Sequence, residues 1–317
     1  MRLFALGSSL IILSIVSLFI GVSDVSPLDI FHLSEEQVQI IMVSRFPRLI
    51  SILIAGMSMS IIGLIMQQLS RNKFVSPTTA GTMSSAQFGI LIAMIVFPAA
   101  GMLSKMTVAF LFALLGTFIF MQLLNRIKFR DAIFIPLVGL MFGNIVSSLT
   151  TFFSYKYDLI QSIGAWLHGD FSMIVKGRYE LLYLSIPALI IAYIFAHRFT
   201  IAGMGEDFAT NLGLHYKSVV NIGLTIVAFV SAVVVLTVGS LPFLGLIIPN
   251  IVTMYQGDNL KSSLLHTALL GSLFVLICDM LGRIIIYPYE ISIGLMVGVI
   301  GSGIFLYLLL RRRAHES

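Results

Sequence analysis

The chain has 317 residues, of which 58% are apolar, and carries only 19 basic and 14 acidic side chains. Charged residues stand at 10%, against roughly 25% in soluble domains, and the mean hydropathy is +1.03. These values exclude a soluble enzyme and leave an all-α polytopic membrane protein. At about 20 residues per span plus short loops, the length admits roughly ten spans and no separate soluble domain, so residues 1–317 read as a single transmembrane domain.

Apolar runs fall near residues 3–21, 46–69, 78–97, 106–125, 132–154, 179–196, 218–238, 241–256, 264–286 and 290–310. The first is longer than a signal-peptide core and no A-x-A-like cleavage site follows, so it reads as a retained helix. Pro242, Gly245 and Pro249 interrupt the eighth run, which predicts a broken or re-entrant helix covered by neighbouring protein. An even number of spans puts both termini on one side, and the basic residues choose it. Arg2, Arg71, Lys73, Arg126, Lys128, Arg130, Arg198, Lys217, Lys261 and Arg311 to Arg313 fall together, twelve in all, against seven opposite: Arg45, Arg48, Lys105, Lys156, Lys176, Arg178 and Arg283. The positive-inside rule therefore expects cytoplasmic termini in a cell membrane.

Three connections are long. Residues 22–45 read as an acidic outer loop, and residues 155–177 as an outer loop carrying Trp166, an expected interfacial anchor. Residues 197–217 form the longest inner connection. Within it, Glu206 to Leu212 has helical spacing, with Phe208, Ala209 and Leu212 on one face and Gly213 as the stop. A short amphipathic helix outside the bilayer needs a partner for its apolar face.

Catalytic chemistry is missing. There is no Gly-x4-Gly-Lys-Ser/Thr phosphate loop, no His-x3-His pair, no Cys/His cluster and no nucleophile elbow. No catalytic residue, resident metal or cofactor is expected on this chain. Gly139-x3-Gly143 and Gly294-x3-Gly298 read as close packing between helices. The single cysteine, Cys278, lies in an apolar run and cannot form an internal disulfide.

Few charges sit at membrane depth. Asp279 and Arg283 are four apart in the acid-before-base order, which suits an internal ion pair; alternatively, Arg283 also projects at the outer rim. Arg45 and Arg48 are three apart where the second span begins. Two arginines on the outer side oppose the positive-inside bias, so they either snorkel to lipid headgroups or serve a function.

These residues carry a family resemblance. Arg45-Phe-Pro-Arg48, Gly56-x6-Gly63-Leu-Ile-Met-Gln67, Arg71-Asn72 and Pro77-x3-Gly81 resemble the opening signature of the iron-chelate (FecCD-type) ABC importer permeases. Gly205-Glu206-x2-Ala209-x2-Leu212-Gly213, Phe243-Leu-Gly245-Leu246-Ile-Ile-Pro249, Gly257-Asp258, Asp279-x3-Arg283, Glu290 and Gly294 follow in order, from about residue 40 to 310. Residues 67–81 are most similar to the ferric-siderophore branch serving catecholate and petrobactin-type chelates. Asn250 stands where the family usually has His, Thr253 where it often has Arg, and Lys73 and Ser292 where it commonly has Pro.

The resemblance implies a ten-helix permease that forms its pathway with a second, different permease subunit. Two cytoplasmic ATPases would hold the ATP and magnesium, and an extracellular siderophore-binding protein would deliver the chelate; no nucleic acid is expected. It also implies that the segment around residues 203–214, through Gly205, Glu206, Phe208, Ala209, Leu212 and Gly213, contacts the ATPase. Arg45, Arg48 and Arg283 would receive carboxylates of the binding protein. A cobalamin or haem importer permease remains open, because a large chelate needs a wide, weakly interacting wall. A stand-alone secondary transporter fits less well, since its spans usually carry several ionisable groups and Asp279 is the main one here.

Overall fold

The structure is a computed structural model, and it describes residues 3–21, 34–126, 134–167, 169–172, 174, 177 and 179–316. Most of the acidic outer loop (22–33), together with Arg2, Lys128, Arg130, Lys176, Arg178 and the side chain of Trp166, lies outside the described residues.

Among the described residues every regular element is helical. Ten apolar helices fall on the ten apolar runs: α1 (Leu3–Ser17), α3 (Phe46–Ser70), α4 (Thr82–Val96), α5 (Met102–Arg126), α6 (Phe134–Lys156), α8 (Ser185–Ala202), α10 (Tyr216–Thr237), α11 (Leu244–Gln256), α12 (Leu260–Ile284) and α13 (Ile293–Glu316). Three short helices join them: α2 (Glu35–Ile40), α7 (Ile160–Leu167) and α9 (Glu206–Asn211). Six helical stretches are long and apolar enough to cross a bilayer, and α1, α4, α11 and an apolar stretch of α13 are shorter.

The second half of the expected outer loop is helical rather than irregular. Ser34 caps α2 in a reciprocal capping box with Gln37, and Glu35 and Glu36 sit in the first turn, where the helix dipole favours acids. From α2 the chain continues through a π turn, Ile41–Arg45, into α3. Pro47 accounts for that turn, because its ring would collide with the carbonyl four residues earlier in a regular α-helix.

Helix α3 is the axis of the bundle, buried over most of its circumference and packed against α12, α10, α11 and α8. Its glycines permit the approach. A Cβ on Gly56 would lie 2.8 Å from the Gly271 carbonyl of α12, and one on Gly63 would lie 2.0 Å from that of Gly245 in α11. Backbones touch at both crossings, the small-residue packing that replaces hydrophobic driving force in lipid.

Of the two forms expected for the eighth run, broken or re-entrant, the first is not seen: residues 244–256 form one short, unbroken helix. Its irregular part comes before it, at residues 238–243, where Gly239 and Phe243 both have positive φ (89° and 60°). Neighbouring chain covers this backbone: Asp170 N donates to the Val238 carbonyl (2.9 Å), while Gly169 and Gly294, joined by a bond from Gly294 N to the Gly169 carbonyl (3.0 Å), lie against the Ser240 carbonyl. Pro249 lies inside α11 and cannot donate to the carbonyl four residues back. Gln67 of α3 supplies the missing donor, its Nε2 reaching the carbonyls of Gly245 (3.4 Å) and Leu246 (3.1 Å). Backbone irregularity at membrane depth is tolerable only where protein covers it in this way. The two small-x3-small motifs likewise meet irregular backbone: Gly139 abuts the Thr79 carbonyl, and Gly294 the Gly169 amide.

The crossing of α3 with α11 generates a test. Gly63→Ala should destabilise the bundle by about 3 kcal/mol, because the clashing atoms are backbone on both sides. Gly7→Ala in α1, where nothing lies within 4 Å of an added Cβ, should be neutral or stabilising by about 0.5–1 kcal/mol. Thermal denaturation of the purified protein in detergent reads both; equal effects would refute the close approach.

Candidate functional site

Charge gathers at the end of the bundle where α3 begins and α12 ends. Arg48, in the first turn of α3, donates from Nε (3.1 Å) and Nη2 (2.8 Å) to Asp279 Oδ1 on α12. Its Nη1 donates to both oxygens of Glu290 (3.0 and 2.8 Å), in the connection between α12 and α13. Arg283, one turn beyond Asp279, places Nη2 2.6 Å from Asp279 Oδ2. That contact is an ion pair without hydrogen-bond alignment, for Asp279 Oδ2 and Arg283 Nε accept or donate no aligned bond. The two terminal nitrogens of Arg283 donate at the end of α1: Nη1 to the carbonyls of Ser17 (3.1 Å) and Ile20 (2.7 Å), Nη2 to Ser17 Oγ (2.6 Å). Arg45 also reaches this segment, donating from Nη1 to the Leu18 carbonyl.

The expected open patch of three rim arginines is therefore corrected. Arg45 and Arg283 are 8% and 7% exposed and point into the joint between α1 and the bundle. Arg45 and Arg48 do not share an outward face, because Arg45 is drawn to α1 and Arg48 to α12. Arg48 has one partner near water: the Asp279 side chain is 1% exposed and that of Glu290 28%. The two guanidinium groups of Arg48 and Arg283 and the two carboxylates of Asp279 and Glu290 cancel in charge. In the sequence Glu290 stands as a motif residue with no local tie to Arg48. A separation of 242 residues cannot be read from spacing, and only the antiparallel pairing of α3 with α12 brings the two together.

At the opposite end, α9 stands between α8 and α10. Gly205 (φ 119°) enters it and Gly213 (φ 77°) leaves it. Leu214 N donates to the Ala209 carbonyl and Gly213 N to that of Thr210, both at 2.9 Å, the Schellman arrangement for which a left-handed glycine is suited. The single apolar face expected for Phe208, Ala209 and Leu212 divides in two. Ala209 is fully buried in the chain's own core and seats the helix, whereas Phe208 (49%) and Leu212 (60%) are exposed. Met204 joins them outside, and Glu206 and Asp207 occupy the exposed first turn.

Beside α9 lies a cavity of about 520 Å³ lined in part by Gln67, Gln68, Arg71, Lys73, Met204 and Asp258. Lys73 and Asp258 form an ion pair at its edge. Asn250, on the turn of α11 after Pro249, donates from Nδ2 to the carbonyls of Lys73 and Leu246, both at 2.7 Å. Two of the departures from the family pattern, Lys73 and Asn250, thus hold the α3–α4 connection to α11 and to the α11–α12 turn. Among the described residues, no group of three His, Cys, Asp or Glu side chains is placed to hold a metal.

Comparison with known proteins gives a consistent set of relatives. The model of the FecCD transport family matches residues 9–311. The chain is 69% identical to the petrobactin import system permease protein YclN of Bacillus subtilis (strain 168), over 99% of this chain and 100% of that one. It is 38% identical to the petrobactin import system permease protein FatD of Bacillus anthracis, covering 96% of this chain and 89% of that one. It is 37% identical to the ferric-anguibactin transport system permease protein FatD of Vibrio anguillarum, covering 93% and 94%. A solved structure described as an inward-facing conformation of a metal-chelate type ABC transporter superposes with a TM-score of 0.82 at 25% identity, covering 98% of each chain.

The network carries a stability prediction. Asp279→Asn leaves two largely buried guanidinium groups with one carboxylate between them and should cost about 3–5 kcal/mol. Glu290→Gln removes a partly exposed partner and should cost about 1 kcal/mol or less. Thermal unfolding of both variants checks the order; an Asp279→Asn protein as stable as the parent would show that the buried cluster is not held by its charge.

Proposed function

Because the chain belongs to the FecCD transport family, we propose that it is the membrane-spanning permease subunit of an ATP-driven ferric-siderophore importer, with a petrobactin-type chelate as cargo. One observation carries the reading: end-to-end identity of 69% with a petrobactin import permease, without a gap in coverage at either end of that relative. The chain supplies a path rather than a reaction. ATP and magnesium would reside on two separate cytoplasmic ATPase subunits, a second permease subunit would complete the path, and a siderophore-binding protein would deliver from outside.

The basic-residue asymmetry supports a topology with both termini, residues 71–73, α9 and residues 257–261 in the cytoplasm, and with Arg48 and Glu290 at the outer face. In that orientation α9 meets the ATPase through Phe208 and Leu212, with Glu206 available to a basic partner. Ala209 and the two bordering glycines set the pose of the helix. At the outer face Arg48 offers a carboxylate of the binding protein the forked geometry that arginine provides and lysine lacks. Arg45 and Arg283 then act from behind, by holding α1 and Asp279 in place.

Uptake of iron-labelled ferric petrobactin by cells lacking this gene, with and without the gene restored, tests the cargo. Restored petrobactin uptake is the expected result; restored haem or cobalamin uptake without it would move the chain to another cargo branch. Co-purification of an ATPase and a second permease is expected, whereas transport by the chain alone in vesicles, driven by a proton or sodium gradient, would overturn the class.

Coupling and topology each have their own test. Leu212→Asp, which places a charge in the exposed apolar patch, should reduce import at least about tenfold and leave the permease folded; normal import would remove α9 from the transmission path. In a Cys278→Ser background, a cysteine at position 207 should resist an impermeant thiol reagent added outside intact cells and react once they are opened.

A further inference from the structure

We propose that Glu290 is an internal stand-in for the binding protein's carboxylate, holding Arg48 between deliveries and giving way when the partner docks. The inference rests on the docking reading of Arg48 above.

A guanidinium has five N–H donors, and four of those of Arg48 are already committed: Nε and one of Nη2 to Asp279, and the two of Nη1 to the oxygens of Glu290, which leaves a single N–H on Nη2. An incoming carboxylate therefore finds no vacant fork and must displace one of the two acids. Asp279 cannot yield. Its side chain is 1% exposed, lies within α12, and is also 2.6 Å from Arg283. Glu290 can. Its side chain is 28% exposed and belongs to the non-helical connection between α12 and α13. Its neighbours in the chain are tied independently, Tyr289 N to the Ile286 carbonyl (2.8 Å) and Ile291 N to that of Gly282 (3.0 Å). A rotation of the Glu290 side chain alone frees Arg48 Nη1, with no change in the backbone.

Charge conservation gives the exchange its logic. Arg48 is only 14% exposed at the edge of the apolar bundle, where an unpaired cation is costly. With Glu290 in place, the cluster of Arg48, Arg283, Asp279 and Glu290 is neutral. With a partner carboxylate in its place, the cluster is neutral again, and Glu290 turns toward water. Neither state buries a lone charge. The stand-in lowers apparent affinity, because docking must first break a bidentate pair, and so favours release after delivery.

The test is a binding measurement on the complete importer in lipid nanodiscs, with its siderophore-binding protein loaded with ferric petrobactin as probe. Glu290→Gln should tighten binding about three- to tenfold. Glu290→Asp, which keeps the charge but shortens the reach to Arg48, should tighten it by a smaller factor. Asp158→Asn, an exposed acid at the same end of the bundle that is outside the cluster, should change it little. In an Arg48→Gln background the effect of Glu290→Gln should vanish. Equal gains from Glu290→Gln and Asp158→Asn would overturn the exchange in favour of a general field effect. Unchanged binding in both Glu290 variants, with Arg48→Gln still impaired, would overturn the exchange and keep the docking reading. Unchanged binding in Arg48→Gln would remove the docking reading and the exchange with it.

Discussion

A carboxylate at membrane depth has to be neutralised by protein, and Asp279 is neutralised from two directions. Arg48 reaches it from α3, and Arg283 from the next turn of its own helix. Because Arg283 also donates to the end of α1, the same acid fixes three helices at one end of the bundle. The burial that makes the pairing obligatory also makes it rigid. One partly exposed carboxylate, Glu290, completes the cluster, and this end of the bundle inherits a defined geometry from a requirement of folding.

Backbone accounting imposes a second discipline along α3. Where Pro249 removes a donor from α11, Gln67 provides one across a contact that Gly63 and Gly245 make close enough. Residues 238–243 run irregularly inside the bundle, and residues 169–170 and Gly294 take part in covering them. At Pro249 and at Val238 a departure from helical regularity is matched by a neighbour that bonds to it, which is the condition for non-helical chain at this depth. Gly56, Gly63 and Gly245 are thus the points at which one helix comes close enough for its neighbour to cover it.

The two ends of the molecule differ in kind. At the α3 start, charges are paired and half hidden, an arrangement suited to orienting a partner that must come and go. At the α9 end, Phe208 and Leu212 stand exposed on a helix seated by Ala209, an arrangement suited to a persistent apolar contact. Helices α3 and α12 run from one end to the other and are in contact with each other along the way. A displacement at either end has a stiff route to the other, a physical setting for transport in which delivery and energy input act on opposite faces.

Composition by itself determined that the chain is a membrane protein, and ten apolar runs became ten helices, since hydrophobic length is a local property that lipid enforces on any sequence. The motif blocks likewise sufficed for the family, because they are short and ordered along the chain. A local cue in Ser34-Glu-Glu-Gln37 was legible as a capping box, although the surrounding acids made the region read as loop. Side-chain direction was another matter. Spacing put Arg45 beside Arg48, and Ala209 beside Phe208 and Leu212, yet tertiary packing sent Arg45 to α1 and Ala209 into the core. The partner of Arg48 lies 242 residues away at Glu290, and the donor replacing that of Pro249 comes from Gln67. Such pairings depend on which helices pack together and at what height, and that is decided by glycine contacts and buried charge across the bundle, quantities that no local stretch of sequence contains.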